Sequence, residues 1–318
     1  MYYWLKLFLV LSLGGLFACT ETPDQPLRIG SSPWPGYEPL YLARDLGYLD
    51  DIKINLFELP SSDITLESFR NRSTDVATLT LDGILELLSE GVRLKIILIM
   101  DISHGGDVAL AAPEIKTLKD LKGKRVAAVN IPLGVYMVSR MLDKAGLKRK
   151  DIELSLMAET QQEAIYAQGK ADVIVTYDPV KTKLQNAGMK VLFDSADIPN
   201  EIFDILVVHN DVYKNRKQDL CRLVDRWFKA IEYIKDNQQD AAHRISRRLG
   251  VTVAEYHDMM RGIIIPDKSQ QSNFLGGEKP GIYSAAEKLH NIMLKENMLK
   301  DTVNYEHTVD SSFVECSY

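Results

Sequence analysis

The sequence predicts an α/β protein of two lobes, and three observations lead to that prediction. Short apolar strands alternate with helices of about ten residues, which indicates βαβ units and a mainly parallel sheet. The alternation runs through two series, separated by the stretch GGDVALAAPEI at residues 105–115. After the strand in FDILVVHNDVY, residues 203–213, the pattern becomes purely helical.

The first series begins at Leu27 and contains apolar strands joined by helices that end at glycine or asparagine. Its strands are predicted at 27–31, 53–59, 75–79 and 95–102, and its helices at 38–47, 63–71 and 81–91. Together with the helices at the end of the chain, it is expected to form lobe one, residues 27–107 and 204–318.

The second series has the same alternation and is expected to form lobe two, a continuous insertion of residues 108–203. Its strands are predicted at 125–130, 152–157, 172–176 and 190–194, and its helices at 134–146, 160–170 and 179–188. The chain then crosses between the lobes twice, near DVALAA (107–112) and near DILVV (204–208). Two crossing strands form a hinge, so the lobes could open and close over a ligand.

The helical tail adds extra helices to lobe one. Residues 217–237 place one apolar face on a long helix. The residues of that face are Leu220, Val224, Trp227, Ile231 and Ile234. Further helices are predicted at 241–249, 254–263 and 282–296, and the glycine-rich LGGEKPG at 275–281 is predicted to be a surface loop.

The first residues precede the fold and resemble an export signal. Lys6 is followed by an apolar run at residues 7–17, which is typical of a signal peptide and short for a membrane span. The sequence LFAC at 16–19 resembles a bacterial lipobox. We therefore expect removal of residues 1–18, acylation of Cys19, and a tether at 19–26 that anchors the protein to a membrane surface. Plain secretion is the alternative, because Phe17 is bulky for that pattern.

Composition and motifs argue against several classes of function. The net charge of -6 and pI near 5.6 disfavour nucleic-acid binding. The sequence contains no HEXXH, GXSXG, P-loop or GXGXXG motif, and its six histidines lack metal-like spacing. We therefore expect no enzyme activity, metal or cofactor. Cys221 and Cys316 could pair in an oxidising compartment, but the favoured interpretation is that they stay unpaired, in a helix and in a tail.

Five stretches in order resemble a known family over about residues 27–235. They are PWPGYEPLYLARDLGYL, STDVATLTLDGI, LKDLKGKRVAAV, ADVIVTYDPV and DILVVHNDVY. They are similar to the solute-binding proteins of ABC importers of the nitrate/sulfonate/taurine type, which include binders of thiamine-pyrimidine precursors. The resemblance implies the fold of a type II periplasmic binding protein, a small-molecule solute, and permease and ATPase partners.

Ligands of open α/β sheets bind beyond the carboxyl ends of the strands, so the loops of two lobes converge on the space between them. The candidate ligand-binding residues on those loops are hydroxyl, aromatic or acidic, with one histidine and one helix-terminal glycine. They are Ser32, Thr78, Thr80, Ser103 and Thr176; Trp34, Tyr37, Tyr136 and Tyr177; Asp82, Asp107, Asp178 and Asp204; His104; and Gly134.

The charge of these loops indicates the kind of ligand. They hold several carboxylates and no Lys or Arg. Carboxylates accept charge-assisted hydrogen bonds from amines, and aromatic faces hold cations or flat rings. We expect a zwitterion of the taurine kind or an aminopyrimidine-like ring. A bare inorganic anion would have to rely on hydroxyls and helix N-termini.

Most of these residues also have a structural interpretation. Asp82 and Asp178 each lie where a carboxylate would cap a helix, and Tyr136 would suit the core. His104 would suit a solvated loop, and Asp204 would suit the hinge. Trp34 is different, because flanking prolines restrict its backbone and hold the ring in place at low entropic cost.

Three functions remain open at this point. The first is a periplasmic lipoprotein that delivers its solute to an ABC importer. The second uses the same binding event to signal to a membrane sensor kinase or cyclase. The third is a synthase of the thiamine pyrimidine, a type found among relatives of the fold. The third is disfavoured because the chain carries an export signal and lacks the cysteine-rich motif of such synthases.

Overall fold

The computed structural model describes residues 25–299 and 301–316. The predicted signal peptide, Cys19 and the tether up to residue 24 lie outside the described residues. Within the described part of the chain, no helix is both long and apolar enough to cross a membrane.

The eleven described strands follow the predicted alternation closely. They are β1 Leu27–Ser31, β2 Ile54–Glu58, β3 Val76–Thr80, β4 Leu94–Ser103, β5 Val108–Ala111, β6 Arg125–Val129, β7 Glu153–Met157, β8 Val173–Thr176, β9 Lys190–Asp194, β10 Phe203–His209 and β11 Ile263–Ile264. The eight strands predicted in the two series all form, with ends that differ by at most a residue or so.

The twelve described α-helices alternate with the strands and then dominate the end of the chain. They are α1 Glu38–Asp45, α2 Ser62–Arg70, α3 Leu81–Ser89, α4 Pro132–Ala145, α5 Gln162–Ala167, α6 Val180–Asn186, α7 Asn210–Asn215, α8 Lys217–Asp236, α9 Gln238–Leu249, α10 Val253–Met260, α11 Lys268–Leu275 and α12 Ile282–Lys295. The long helix after the last long strand is α8, and its predicted apolar face is largely buried. The glycine-rich stretch after α11 is a loop, as predicted.

The strands form two separate sheets, one in each lobe. The first sheet has the order β11-β4-β10-β3-β1-β2 and the second has the order β7-β6-β8-β5-β9. Loops 104–107 and 195–202 connect the sheets, and we call them the first and second crossing loops. The crossings therefore lie in these loops, just outside the strands to which the sequence assigned them. The exact limits of the lobes, 27–107 with 204–318 and 108–203, stay a prediction.

The prediction of mainly parallel sheets is wrong, because both sheets are mixed. β1 runs parallel to β2 and β3, and β6 runs parallel to β7 and β8. β10 is antiparallel to β3 and β4, and β5 is antiparallel to β8 and β9. The chain leaves the first sheet at the carboxyl end of β4 and returns at the same edge as β10. The returning strand must therefore run in the opposite direction.

The helix predicted at 254–263 ends early, and residues 263–264 form the short strand β11 beside the end of β4. Gly262 lies directly against the first crossing loop. A Cβ atom on Gly262 would lie 2.7 Å from the backbone nitrogen of Gly106. This close approach requires glycine, and it places the segment beside β4, where a helix cannot continue.

The expectation that the two cysteines stay unpaired is wrong, because Cys221 and Cys316 form a disulfide with a Cα–Cα distance of 5.5 Å. The end of the chain packs back onto lobe one. Val309 pairs with Ile96 of β4, and Phe313 is fully buried. This packing brings Cys316 to α8, which sequence spacing alone cannot show.

Candidate functional site

A small space lies between the two lobes, and a second small space adjoins it. Together we call these two spaces the cleft. The first is lined by Trp34, Tyr37, Ser62, Thr80, Asp107, Ile131, Leu133, Tyr177 and Asp204. The second is lined by Tyr37, Ser62, Leu66, Thr78, Leu79, Thr80, Asp82, Gly83, Ile131 and Pro132. The lining follows the carboxyl ends of several strands in both sheets, as ligand sites of α/β folds do.

Trp34 forms part of the wall of the cleft and is anchored from behind. It follows β1 in an extended conformation, and its side chain is only 5% exposed. Its indole Nε1 donates a 3.0 Å hydrogen bond to Asp101. A Cβ atom on Gly36 would lie 1.9 Å from that carboxylate, so only glycine allows the loop to cover this bond. The edge of the indole contacts Tyr177 of lobe two, with ring centroids 5.9 Å apart.

Two buried carboxyls, Asp101 on β4 and Asp204 on β10, lie opposite each other in the sheet. The hydroxyl of Tyr37 donates to Asp204. Burial raises the pKa of Asp101 to about 7. Burial and the charge of Asp101 raise the pKa of Asp204 well above its usual range. Two carboxyls this close do not both ionise near neutral pH, so Asp204 keeps its proton and Asp101 is the acceptor for the indole.

Asp82 and Asp107 are the other two acids of the cleft, and both are buried. Burial raises the pKa of Asp82 to about 7 and that of Asp107 to about 6. The backbone N–H of Asp107 donates to Ser103 Oγ at 3.1 Å, and that hydroxyl lies 2.7 Å from the hydroxyl of Ser195. These hydroxyls hold the first crossing loop in place beside the cleft.

Direct hydrogen bonds join the lobes across the cleft. Ser62 Oγ lies 2.9 Å from Tyr177 OH, which in turn donates to Glu159 of lobe two. Ser32 Oγ lies 3.3 Å from the same Ser62 hydroxyl. The lobes therefore contact one another in this structure, and the cleft is largely enclosed.

Eight of the fifteen candidate residues line the cleft. They are Trp34, Tyr37, Thr78, Thr80, Asp82, Asp107, Tyr177 and Asp204. Ser32 and Ser103 lie behind the lining, where they contact Ser62 and the first crossing loop. Thr176 is buried directly before Tyr177.

The other candidates have contacts elsewhere. Tyr136 is buried and donates to Glu201 at 2.5 Å, so it faces the second crossing loop and does not line the cleft. Asp178 accepts from the backbone and hydroxyl of Thr182 and caps the start of α6. His104 is exposed. Gly134 packs against β6, where an added Cβ would lie 2.1 Å from a carbonyl oxygen.

Sequence reasoning missed several residues of the site. Ser62 begins α2 after β2, so the rule that ligands bind beyond strand ends would have found it. Asp101 is the single acid of β4 and lies among buried apolar residues. An acid in such a run is the feature of the sequence that could have identified it as a site residue. Ile131 and Leu133 are apolar residues at the start of α4 that no pattern distinguishes from core.

Comparisons with known proteins found relatives by sequence and by structure. The chain is 27% identical over 196 residues to an Escherichia coli (strain K12) protein named for binding aliphatic sulfonates. That match covers 59% of this chain and 61% of the relative. The chain therefore matches less than two thirds of that relative's length.

Two solved structures share the architecture at low sequence identity. One is the alkanesulfonate-binding protein SsuA from Xanthomonas axonopodis pv. citri bound to MOPS, with a TM-score of 0.77, 17% identity, and coverage of 90% of this chain and 99% of that chain. The other is the desulfurization enzyme DSZB, with a TM-score of 0.66, 17% identity, and coverage of 91% and 97%. These likenesses confirm the predicted two-lobed fold of periplasmic binding proteins.

The assignment of the chain to a family rests on a separate match. A family model described as NMT1/THI5 like matches residues 34–241. That range is more than half of the chain, and it includes most of both sheets and all of the cleft lining. The chain therefore belongs to the NMT1/THI5-like family.

Proposed function

We propose that this protein is an extracytoplasmic solute-binding receptor that closes over a small organic molecule and delivers it to the permease and ATPase of an ABC importer. The observation that supports this most is the cleft itself. Its walls come from both lobes, and the two sheets are joined only by loops 104–107 and 195–202 within the described chain. Such an arrangement can open and close by hinge motion at the connecting loops.

The relatives support the same role. Two proteins similar to this chain are named for binding sulfonates, one by sequence and one by structure. The desulfurization enzyme shows that the fold also hosts catalysis, so the fold alone does not select the function. The receptor role therefore rests on the enclosed cleft together with the named relatives.

The expected ligand is a small zwitterion of the taurine kind or an aminopyrimidine-like ring. Three aromatic side chains, Trp34, Tyr37 and Tyr177, line the first space of the cleft. Carboxyls and hydroxyls complete the lining, and such groups pair with amines on a ligand.

Membrane attachment belongs to the same proposal. Acylation of Cys19 would hold the receptor at a membrane surface, with residues 19–26 as the tether and the lobes at 27–107 with 204–318 and at 108–203. Replacing Cys19 with serine should release the protein from the membrane fraction of cells. Continued sedimentation of the Cys19→Ser protein with membranes would contradict the lipid anchor.

A thermal-shift screen tests the receptor role. A ligand that binds only the folded state raises the melting temperature through mass action. The screen covers sulfonates including taurine, aminopyrimidines, amino acids and nitrate. We expect stabilisation by at least one small organic solute. If no solute stabilises the protein, the receptor proposal fails.

A further inference from the structure

The ionisable side chains nearest the cleft are carboxyls and tyrosine hydroxyls. Asp82, Asp107 and Asp204 line it, and Asp101 lies directly behind the indole of Trp34. Among the described residues that line the two spaces, none is a lysine, arginine or histidine. A buried carboxylate is stable only when it is paired or hydrogen-bonded, so a carboxyl of this lining that ionises would need a basic partner from outside the lining.

Asp82 lines the second space and has one carboxyl oxygen without a partner among the described residues. It is 3% exposed, and its Oδ2 atom is buried without any hydrogen-bond partner in the described part of the chain. The hydroxyl of Thr80 and the backbone of Asp82 itself hydrogen-bond to this carboxyl, and the nearby charges that act on it, from Asp107 and Glu86, are both negative. An unsatisfied buried acceptor at the lining of a cavity marks a position where a donor from another molecule would bind.

Lys181 is a basic side chain whose charge reaches Asp107, and its own contacts lie elsewhere. Lys181 Nζ donates to the carbonyl of Gly105 at 3.0 Å and lies 3.4 Å from Asp178. Its charge lowers the pKa of Asp107, against the larger opposing effect of burial. Lys181 therefore supports the crossing loop and Asp107, and it does not satisfy Asp82.

The helix ends at the cleft offer little to an anion. The first turn of α3 contains the carboxyl of Asp82 itself, which already complements the positive end of that helix. α4 begins with Pro132, which has no N–H, and the N–H of Gly134 donates to the carbonyl of Ile131. At the starts of α3 and α4, an anionic sulfonate would therefore meet a carboxyl and a proline, and no basic side chain of the described residues lines either space.

We propose that the ligand of this cleft carries a positive charge, an ammonium or amidinium group, that donates to Asp82 Oδ2 in the second space while its apolar part lies among Trp34, Tyr37 and Tyr177 in the first. The inference rests on the receptor role proposed above and narrows it. A sulfonate without a cationic group is not a ligand, in contrast to what the names of the relatives suggest. Thr80 and Tyr37 line both spaces, so the two spaces adjoin, and a molecule that reaches both requires the lobes to open.

Matched probes test the charge directly. Benzamidine, benzamide and benzenesulfonate share one ring and differ in carrying a cationic, neutral or anionic group. Taurine and isethionate share one sulfonate and differ in an amine or a hydroxyl. Affinities are measured by calorimetry for the wild type, for Asp82→Asn, and for the control Asp50→Asn, which changes an exposed carboxyl remote from the cleft lining.

We expect every compound that binds the wild type to carry a cation, in these sets and in the wider screen. Asp82→Asn should weaken binding of such a compound by roughly thirtyfold, the usual cost of removing one partner of a buried charge pair. It should leave any measurable affinity for benzamide within about twofold, because a neutral amide does not need the carboxylate charge. Asp50→Asn should leave all affinities unchanged.

The folding of Asp82→Asn is checked by its circular dichroism spectrum and melting temperature. If Asp82→Asn does not fold, Asp107→Asn takes its place and should weaken cation binding in the same direction. Binding of benzenesulfonate or isethionate as tight as that of their cationic partners overturns the inference and leaves the receptor role intact. An unchanged affinity of Asp82→Asn for the cation also overturns it. An absence of any ligand in both screens instead overturns the receptor role, and the inference with it.

Discussion

The contribution of the hydrogen bond between Trp34 and Asp101 to stability can be measured separately from the packing of the indole. Trp34→Phe keeps an aromatic ring against Tyr177 but removes the Nε1 donor that lies 3.0 Å from the carboxylate. A matched control is available in Trp227, which is 1% exposed and whose Nε1 has no hydrogen-bond partner in the described structure. Trp227→Phe therefore removes the same atoms from a buried site without removing a hydrogen bond.

The size of the effect depends on the charge of Asp101. Its pKa is raised to about 7, so it is mostly neutral near pH 5.5 and mostly ionised near pH 8.5. A hydrogen bond to a charged group contributes about 1.5–3 kcal/mol, and one to a neutral group about 0.5–1.5 kcal/mol. Trp34→Phe should therefore destabilise the protein by about 1–2 kcal/mol more near pH 8.5 than near pH 5.5.

Guanidinium unfolding followed by circular dichroism measures this difference. Both variants and the wild type are unfolded at each pH. Their free energies of unfolding are compared with one shared value for the dependence on denaturant concentration. The packing loss is similar at the two pH values, so it cancels within each variant. The cost of Trp227→Phe should not depend on pH. An equal pH dependence in the two variants, or none in Trp34→Phe, would refute the assigned bond.

Three further predictions concern stability. Arg248→Met should lower the free energy of unfolding in urea by about 3–5 kcal/mol, because Glu38, which is 1% exposed, loses the partner that lies 2.6 Å away. Adding Glu38→Gln should recover part of that loss. Cys316→Ser should cost roughly 4–5 kcal/mol on the loop-entropy model, since the disulfide to Cys221 spans 95 residues, and reductant should lower the melting temperature of the wild type only. Burial raises the pKa of Asp82 from 3.8 to about 7, so this group favours the folded state below pH 3.8 and loses that contribution as pH rises through about 7. Without ligand, the free energy of unfolding of Asp82→Asn relative to that of the wild type should therefore rise by roughly 2–4 kcal/mol from pH 4 to pH 8. A difference that does not depend on pH would contradict the assigned pKa shift.

The strand and helix pattern was predictable because it depends on local periodicity. β1 and β9 form at the predicted residues, since each is a short apolar run bounded by turn residues. The antiparallel direction of β10 was not predictable in the same way. It depends on where the chain returns from the second lobe, which is a property of the whole fold. The strand β11 likewise depends on the close approach of Gly262 to the first crossing loop.

The site was predictable where it follows strands and less so where it lies on helices. Trp34 and Thr80 lie at or just beyond strand ends, and the structure places both at the cleft. Tyr136 lies one turn into α4, where a small rotation of the helix decides which loop it faces, and it contacts Glu201 instead. Asp101 was missed because sequence alone cannot show that the indole reaches an acid inside a strand.

The central claim is that the cleft holds one small organic solute in contact with Trp34. Mass spectrometry of small molecules released from gently purified protein tests it most directly, with Trp34→Ala purified in parallel. We predict that the wild type releases one amine-bearing solute in near-stoichiometric amount, directly or after incubation with cell extract. Trp34→Ala, still folded by circular dichroism, should release little or none of it. A wild type that stays empty, or a folded Trp34→Ala protein that releases the same compound in the same amount, would contradict the claim.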